Sequence, residues 1–260
     1  TGAADIVCAT GAGGRVARPR LAVAAMTLLS TRGLSKNFAG LRAVHDVNFD
    51  LPEGQIRALI GPNGAGKTTF VGMLCGRIPP SSGSVSFDGQ DISHLPAHKR
   101  INLGRAYTFQ VTSVFANLNV TENVALAARR RLSGRAVDEA VDEALKKVGL
   151  HDRAEQNAGD LSYGHQRLLE IAMGVVQQPR LLILDEPTQG LADSEIAEFQ
   201  TLIRDLSAST TILLIEHNMS VVMATADMVT VLNFGEILAE GTPADIHANS
   251  DVQAAYLGTG

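Results

Sequence analysis

The feature that most constrains this chain is a glycine-rich octapeptide between a short apolar run and a helix-forming run. It reads Gly61-Pro62-Asn63-Gly64-Ala65-Gly66-Lys67-Thr68 and matches the P-loop pattern. Glycines let successive backbone N–H groups turn inward around phosphate oxygens, and the helix N-terminus adds partial positive charge. An accidental glycine-rich turn would lack this strand-to-helix context. The motif predicts a phosphate-binding loop in which Lys67 reaches the β- and γ-phosphates, the Thr68 hydroxyl ligands Mg²⁺ and Thr69 completes the set.

The composition excludes several other classes of protein. The chain has 260 residues, 45% of them apolar, which suits one domain with an ordinary core. A formal net charge of −5 argues against a nucleic-acid partner, because such binders carry basic patches. Two cysteines are too few for a disulfide framework. The longest uncharged apolar run near the start, Leu21 to Leu29, is about half as long as a membrane-spanning helix.

The alternation of strands and helices predicts an α/β domain over residues 26–260. Residues 1–25 are rich in Gly, Ala and Arg and are expected to form a disordered leader. The stretch from about 111 to 160 is mostly helical and is interpreted as an inserted helical subdomain. Gly83 is expected in a turn. The other predicted elements are the strands Gln55–Ile60, Ser84–Phe87, Leu181–Leu184 and Thr211–Ile215, a hairpin of Met228–Leu232 with Ile237–Ala239, and the helices Lys67–Cys75 and Arg135–Val148.

Two carboxylates follow the most apolar of these strands. Asp185 and Glu186 come directly after Leu181–Leu184, at the strand end where α/β proteins bind ligands. Asp185 is a candidate Mg²⁺ ligand, directly or through water. Glu186 is a candidate acceptor for a proton of the attacking water. An apolar strand ending in Asp-Glu is ordinary by itself, but the P-loop upstream favours the functional interpretation.

A third motif, Leu161-Ser162-Tyr163-Gly164-His165-Gln166, precedes a helix predicted over Arg167 to Gln177. Ser162 is placed to cap that helix, and the Gly164 N–H is expected to be exposed near its N-terminus. The motif is therefore either a plain helix cap or a second anion site.

The hexapeptide, about twenty residues before the Asp-Glu strand, resembles the signature motif of the ABC ATPases. Gln110, the stretch 190–193 and His217 match the Q-loop, D-loop and switch histidine of that family, in the same order. The resemblance covers about residues 28 to 258. It implies a P-loop NTPase core of ABC ATPase type with an antiparallel β subdomain and the inserted helical subdomain.

The resemblance also implies how the site operates, with ATP and Mg²⁺ as its ligands. Two cassettes sandwich two ATP molecules head to tail, each between the P-loop of one subunit and Ser162 and Gly164 of the other. Glu186 polarises water, His217 steadies the γ-phosphate, and Gln110 senses Mg²⁺ and contacts a permease.

An aromatic residue near the first strand stacks on adenine in this family. Phe38 is the candidate, with Val44 beside it, and core packing is an equally open interpretation of Phe38.

Three positions depart from the family pattern. Tyr163 replaces the usual Gly, as in one subgroup whose motif reads Leu-Ser-Tyr-Gly. His165 replaces the usual Gln, which puts in doubt any polar contact that a Gln would make there. Ala192 replaces the usual Asp or Asn of the D-loop.

The chain looks most like the ATPase subunits of branched-chain amino acid importers. That resemblance implies a second ATPase subunit, identical or not, integral membrane permeases, an external solute-binding protein and a place at the cytoplasmic face of the inner membrane. A urea or amide importer, a lipopolysaccharide exporter, a soluble non-transport ABC ATPase and a non-catalytic nucleotide-binding module remain alternatives. The resembling stretches are 36–41, 91–96, 108–110, 161–164, 169–172 and 254–258.

Overall fold

The computed structural model describes residues 26–107 and 113–257. The predicted leader and Gln110 lie outside this described part. Within it, no helix combines the length and apolar character needed to cross a bilayer. Its strands are β1 Thr27–Phe38, β2 Leu41–Pro52, β3 Ile56–Ile60, β4 Ser82–Phe87, β5 Gln90–Asp91, β6 Arg105–Tyr107, β7 Leu181–Asp185, β8 Thr211–Ile215, β9 Met228–Asn233 and β10 Glu236–Gly241. Its α-helices are α1 Lys67–Cys75, α2 Ala97–Ile101, α3 Val120–Ala128, α4 Arg135–Lys147, α5 Tyr163–Val175, α6 Asp193–Leu206, α7 Met219–Thr225, α8 Pro243–Ala248 and α9 Ser250–Leu257.

The larger sheet has the strand order β10-β9-β3-β8-β7-β6. Strands β9, β3, β8, β7 and β6 are parallel neighbours, and every residue of β3, β7 and β8 is buried. Burial on both faces explains why these strands are continuous apolar runs in the sequence. The strands predicted from those runs are confirmed. Because the strands are parallel, the carboxyl ends of β3, β7 and β8 meet at one edge of the sheet, where the site is built.

The smaller sheet is antiparallel, with the order β2-β1-β4-β5. It contains Gly83, and the prediction that Gly83 lies in a turn is wrong. Gly83 has φ 83° inside β4, opposite a register shift of β1. A Cβ at this position would lie 2.3 Å from the carbonyl oxygen of Gly33. Glycine is therefore needed here because it lets two strands approach each other closely, and not because the chain reverses direction.

Helices α3 and α4 lie within the stretch expected to be helical. The first helix begins with a capping box, in which the Asn119 side chain accepts from the Glu122 N–H at 2.7 Å and the Glu122 carboxylate accepts from the Asn119 N–H at 2.9 Å. The apolar faces of both helices pack into the same hydrophobic core as Leu182 and Leu184 of β7. The helical layer and this face of the sheet are therefore built around one core.

Helix α5 begins at Tyr163, four residues before the predicted start at Arg167. The cap explains the difference, because the Ser162 hydroxyl accepts the His165 N–H and starts the helix within the motif itself. The hairpin prediction is confirmed, since β9 and β10 pair antiparallel with Asn233 opposite Glu236.

Candidate functional site

The P-loop connects β3 to α1 and leaves no room for side chains at two of its glycines. A Cβ on Gly61 would lie 2.1 Å from the Leu232 carbonyl oxygen, and one on Gly66 would lie 2.4 Å from the Ala43 carbonyl oxygen. Both residues also have positive φ, 150° and 99°. One side of the loop thus packs against the backbone of Leu232 and Ala43. Its N–H groups are expected to face the opposite side, where a phosphate can bind.

The β9–β10 turn supports the P-loop from behind. The Gly235 N–H donates to the Ala65 carbonyl at 2.9 Å, and the His45 N–H donates to the Gly235 carbonyl at 2.8 Å. Three segments distant in sequence therefore share one hydrogen-bonded junction under the loop. Sequence reasoning identified the turn as a hairpin and missed this supporting role.

Lys67 is folded back across its own loop. Its Nζ donates to the carbonyl oxygens of Gly61 at 2.6 Å and Pro62 at 3.0 Å. Burial lowers the pKa of Lys67, and the nearby carboxylates of Glu186 and Asp185 act in the opposite direction. The structure therefore brings together the cation and the two carboxylates that the sequence predicts as one site.

Asp185 ends β7 and is almost fully buried, with 5% of its surface exposed. The Tyr107 hydroxyl donates to its Oδ2 at 2.6 Å, and Arg77 donates to that hydroxyl at 2.8 Å. Burial raises the pKa of Asp185, while the Tyr107 hydrogen bond lowers it. Burial, together with this contact, raises the pKa of Tyr107 as well. Tyr107, a residue that sequence reasoning did not assign to the site, is therefore a direct partner of the candidate Mg²⁺ ligand.

Glu186 follows directly and adopts φ 48°, an uncommon conformation for a residue other than glycine. Its N–H donates to the carbonyl of Ile215 at 2.9 Å, which fixes the backbone against the end of β8. Such left-handed conformations cost about 1–3 kcal/mol and concentrate at functional sites. The hydrogen bond to β8 holds this conformation. The Glu186 carboxylate lies close enough to Lys67 to oppose the lowering of the lysine pKa by burial.

His217 is exposed, two residues beyond the end of β8. The Glu216 side chain before it is fully buried and accepts the His217 N–H at 3.0 Å. Glu216 was missed in the sequence, although it follows an apolar strand just as Glu186 follows Asp185 at the end of β7. A carboxylate directly after a buried strand is the sequence signal by which Glu216 could have been identified.

Ser162 and Gly164 lie at the N-terminus of α5. His165 Nδ1 lies 2.7 Å from the Ser162 hydroxyl, so the residue that departs from the family pattern contacts the predicted phosphate-binding serine. Gly164 as a residue is buried, and a Cβ there would lie 2.3 Å from a carboxylate oxygen of Glu195, while the exposure of its N–H stays a prediction. The burial is due to tertiary packing, because the start of α6 covers this turn of α5.

The Ser162 motif and the P-loop are not joined by direct polar contacts in the described part of the chain. Among the described residues, no hydrogen bond or ion pair joins Ser162 or Gly164 to the loop of residues 61–69. Tyr163 instead packs on the D-loop, with ring atoms 3.2–3.9 Å from the Cβ position of Gly190.

The residues predicted to hold adenine have different surroundings. Phe38, at the end of β1, is 44% exposed, and the Lys36 ammonium lies 5.0 Å from its ring centroid. Val44 is fully buried in the core. This geometry leaves Phe38 able to meet a planar ligand, while Val44 has no exposed surface to offer. The adenine contact of both residues stays a prediction.

The candidate oxygen donors have the chemistry that Mg²⁺ prefers. Asp185 supplies a carboxylate whose second oxygen accepts no hydrogen bond from the described residues. Thr68 supplies an exposed hydroxyl at the start of α1. Mg²⁺ favours hard oxygen ligands and commonly shares them between one or two protein groups and substrate phosphates. A phosphate-binding loop, a lysine and two carboxylates at the ends of parallel strands define the class of P-loop nucleotide-binding proteins.

Comparisons with known proteins narrow the class. The family model described as ABC transporter matches residues 44–189. A second model, described as branched-chain amino acid ATP-binding cassette transporter, matches residues 236–260. The chain belongs to the ABC transporter family of ATP-binding cassettes and is an ATPase.

Relatives and solved structures agree with this assignment. The high-affinity branched-chain amino acid transport ATP-binding protein LivG of Escherichia coli K12 is 43% identical, covering 89% of this chain and 98% of LivG. The lipopolysaccharide export system ATP-binding protein LptB of the same organism is 32% identical, covering 90% of this chain and 98% of LptB. A crystal structure of an ABC transporter ATP-binding cassette in its ADP conformation has a TM-score of 0.83 at 26% identity, covering 90% of this chain and 99% of that one. The predicted ABC ATPase fold is confirmed.

Proposed function

We propose that this ATPase energises the import of branched-chain amino acids through a separate membrane permease. The observation that carries the proposal is the match of the C-terminal segment, residues 236–260, to a model specific to this kind of transporter. The segment includes β10, α8 and α9 and lies outside residues 44–189, which the ABC transporter model matches. It is accompanied by 43% identity with LivG over nearly the whole chain.

The proposed roles follow the geometry around the P-loop. The loop N–H groups and Lys67 bind the triphosphate, and Thr68 and Asp185 hold Mg²⁺, which neutralises phosphate charge when bound. Glu186 accepts a proton from the attacking water, a role worth roughly 10²–10⁴ in rate. His217 contacts the γ-phosphate from the adjacent strand end.

The remaining assignments depend on partners. Gln110 senses Mg²⁺ and contacts the permease. Phe38, with Val44 behind it, borders adenine. Ser162 and the N-terminal turn at Gly164 complete the nucleotide site of a facing subunit, in keeping with the lack of any polar contact to the P-loop of their own chain within the described residues. The assembly is a pair of cassettes on the cytoplasmic face of the inner membrane, served by an external solute-binding protein.

The transport proposal is tested with the complex as it exists in the membrane. The tagged chain is purified from detergent-solubilised membranes, and the co-purifying permeases are identified. The complex is then reconstituted in proteoliposomes with ATP inside and the solute-binding protein outside. We expect uptake of radiolabelled leucine, isoleucine and valine, and none with a Lys67→Ala complex. Uptake of urea instead would redirect the assignment to a urea or amide importer. Co-purification with lipopolysaccharide export proteins would redirect it to an exporter like that of LptB, which is 32% identical.

The shared site is tested with two inactive variants. Lys67→Ala impairs one face of a site and Ser162→Arg the other, so a mixed dimer has one site with both changes and one with neither. If sites can act singly, mixing restores part of the ATPase activity, and activity rises more than linearly with protein concentration. Strictly linear activity from a demonstrated monomer contradicts the shared site.

A further inference from the structure

Glu216 is a fully buried carboxylate, and the mechanism proposed above assigns it no function. One oxygen accepts the Thr188 N–H at 3.1 Å and the Thr188 hydroxyl at 2.5 Å. The other accepts the N–H groups of His217 at 3.0 Å and Asn218 at 3.2 Å. Burying a charge is costly unless hydrogen bonds compensate for lost water, and here both oxygens are engaged.

The four donors come from two segments that carry different candidate residues. Thr188 lies two positions after Glu186, and His217 and Asn218 follow β8. Strand pairing joins the segments only as far as Asp185 opposite Ile215, with one more bond from the Glu186 N–H to Ile215. Beyond that point the strands no longer pair, and the hydrogen bonds of the Glu216 carboxylate join the two segments.

The partners of the Glu216 carboxylate are neutral hydrogen-bond donors and not a cation. No ion pair of the described residues involves it, and every donor is a neutral N–H or O–H group. Hydrogen bonds to an ionised acceptor are about twice as strong as neutral ones and demand defined geometry. Four of them converging on one side chain restrict how far the two segments can move apart.

We propose that Glu216 is a positioning residue, which holds the segments of Glu186 and His217 in one fixed relation so that both meet the same phosphoryl group. The proposal rests on the roles proposed above for these two residues. Misplacing a reacting group by about 1 Å can cost roughly a hundredfold in rate. A purely structural Glu216 would instead affect folding and leave turnover of the folded protein unchanged.

Glu216→Gln keeps the shape of the side chain but turns one acceptor oxygen into an NH₂ group facing two donors. We expect kcat for ATP hydrolysis to fall about ten- to a hundredfold. The KM for ATP and the affinity for a fluorescent ATP analogue should stay within about twofold, because Lys67 and the loop glycines bind from another element. Thr188→Val should show part of the kcat loss, and the matched control Thr188→Ser, which retains the hydroxyl, should remain close to wild type.

A double-mutant cycle separates positioning from general damage. Because Glu216 is proposed to hold the Glu186 and His217 segments relative to each other, Glu216→Gln should slow the His217→Ala variant by a smaller factor than it slows wild type. Multiplying losses, an unchanged kcat, or a KM that rises in step with the fall in kcat would each overturn the proposal. If Glu216→Gln does not fold, the Thr188→Val and Thr188→Ser pair carries the same test in the same cycle. If Glu186→Gln and His217→Ala themselves keep kcat within about threefold of wild type, the proposed site fails, whatever Glu216 does.

Discussion

Replacing Tyr107 with Phe removes from the candidate Mg²⁺ site one hydroxyl, which donates to Asp185 and accepts from Arg77. That hydroxyl donates to Asp185 Oδ2 at 2.6 Å, and the carboxylate it serves is only 5% exposed. A hydrogen bond to a charged group contributes about 1.5–3 kcal/mol, and water cannot easily replace it at a buried acceptor. We therefore expect Tyr107→Phe to lower the free energy of unfolding by about 1.5–3 kcal/mol at neutral pH.

The pH dependence gives the sharper assay. Burial raises the pKa of Asp185 and the Tyr107 hydrogen bond opposes this, so the variant should have a still higher Asp185 pKa. The stabilisation from this bond is present while Asp185 is ionised and is lost as the pH falls through its pKa. The stability difference between wild type and variant should thus shrink as the pH falls through the raised folded-state pKa of Asp185, and the acid limb of ATPase activity should move to higher pH.

Urea unfolding at several pH values and a pH–rate profile measure both effects. Tyr163→Phe is the matched control for stability, because Tyr163 is 42% exposed and its hydroxyl has no hydrogen bond within the described residues. It should change the free energy of unfolding by less than about 0.5 kcal/mol. A Tyr107→Phe difference that is independent of pH, or an acid limb that stays in place, would refute the proposed coupling between Tyr107 and Asp185.

Three further predictions concern other parts of the chain. Glu186→Gln should retain ATP affinity and lose steady-state hydrolysis by roughly 10²–10⁴, and a rate within about threefold of wild type would remove Glu186 as the base. Gly66→Ala should destabilise the protein by roughly 2–5 kcal/mol in thermal or urea unfolding, because its Cβ would lie 2.4 Å from the Ala43 carbonyl oxygen at positive φ; an unchanged midpoint would show that the loop can shift. Deleting residues 1–25 should leave the melting temperature and ATPase activity unchanged, which a loss of several degrees would contradict.

Local signals predicted the parts of this molecule that are built locally. The continuous apolar runs gave β7 and β8, since strands buried on both faces have no polar positions. Helix α1 begins at Lys67 as predicted, because the P-loop ends where the helix starts. The same reasoning placed Asp185 and Glu186 at a strand end beside Lys67.

Sequence reasoning failed where the surroundings of a residue are set by a neighbour that is distant in sequence. Gly83 looked like a turn residue because glycine is common in turns, but Gly33 on another strand requires it. The packing of Glu195 of α6 beside Gly164 was missed for the same reason. Neither contact has a signature in the sequence around the glycine, since the contacting residues lie tens of positions away.

The residues that sequence reasoning missed form the support of the site rather than its reacting groups. Tyr107 reaches Asp185 from β6, Gly235 reaches Ala65 from a hairpin near the C-terminus, and Glu216 joins the ends of β7 and β8. Each is a hydrogen bond across at least 28 residues of sequence, so no local motif can encode it. Motifs reveal the groups that must meet the nucleotide because their spacing is fixed by its phosphates. The groups that hold those residues in place are fixed only by the fold, so we expect a chain that keeps every motif but lacks the Glu216 carboxylate to lose most of its turnover.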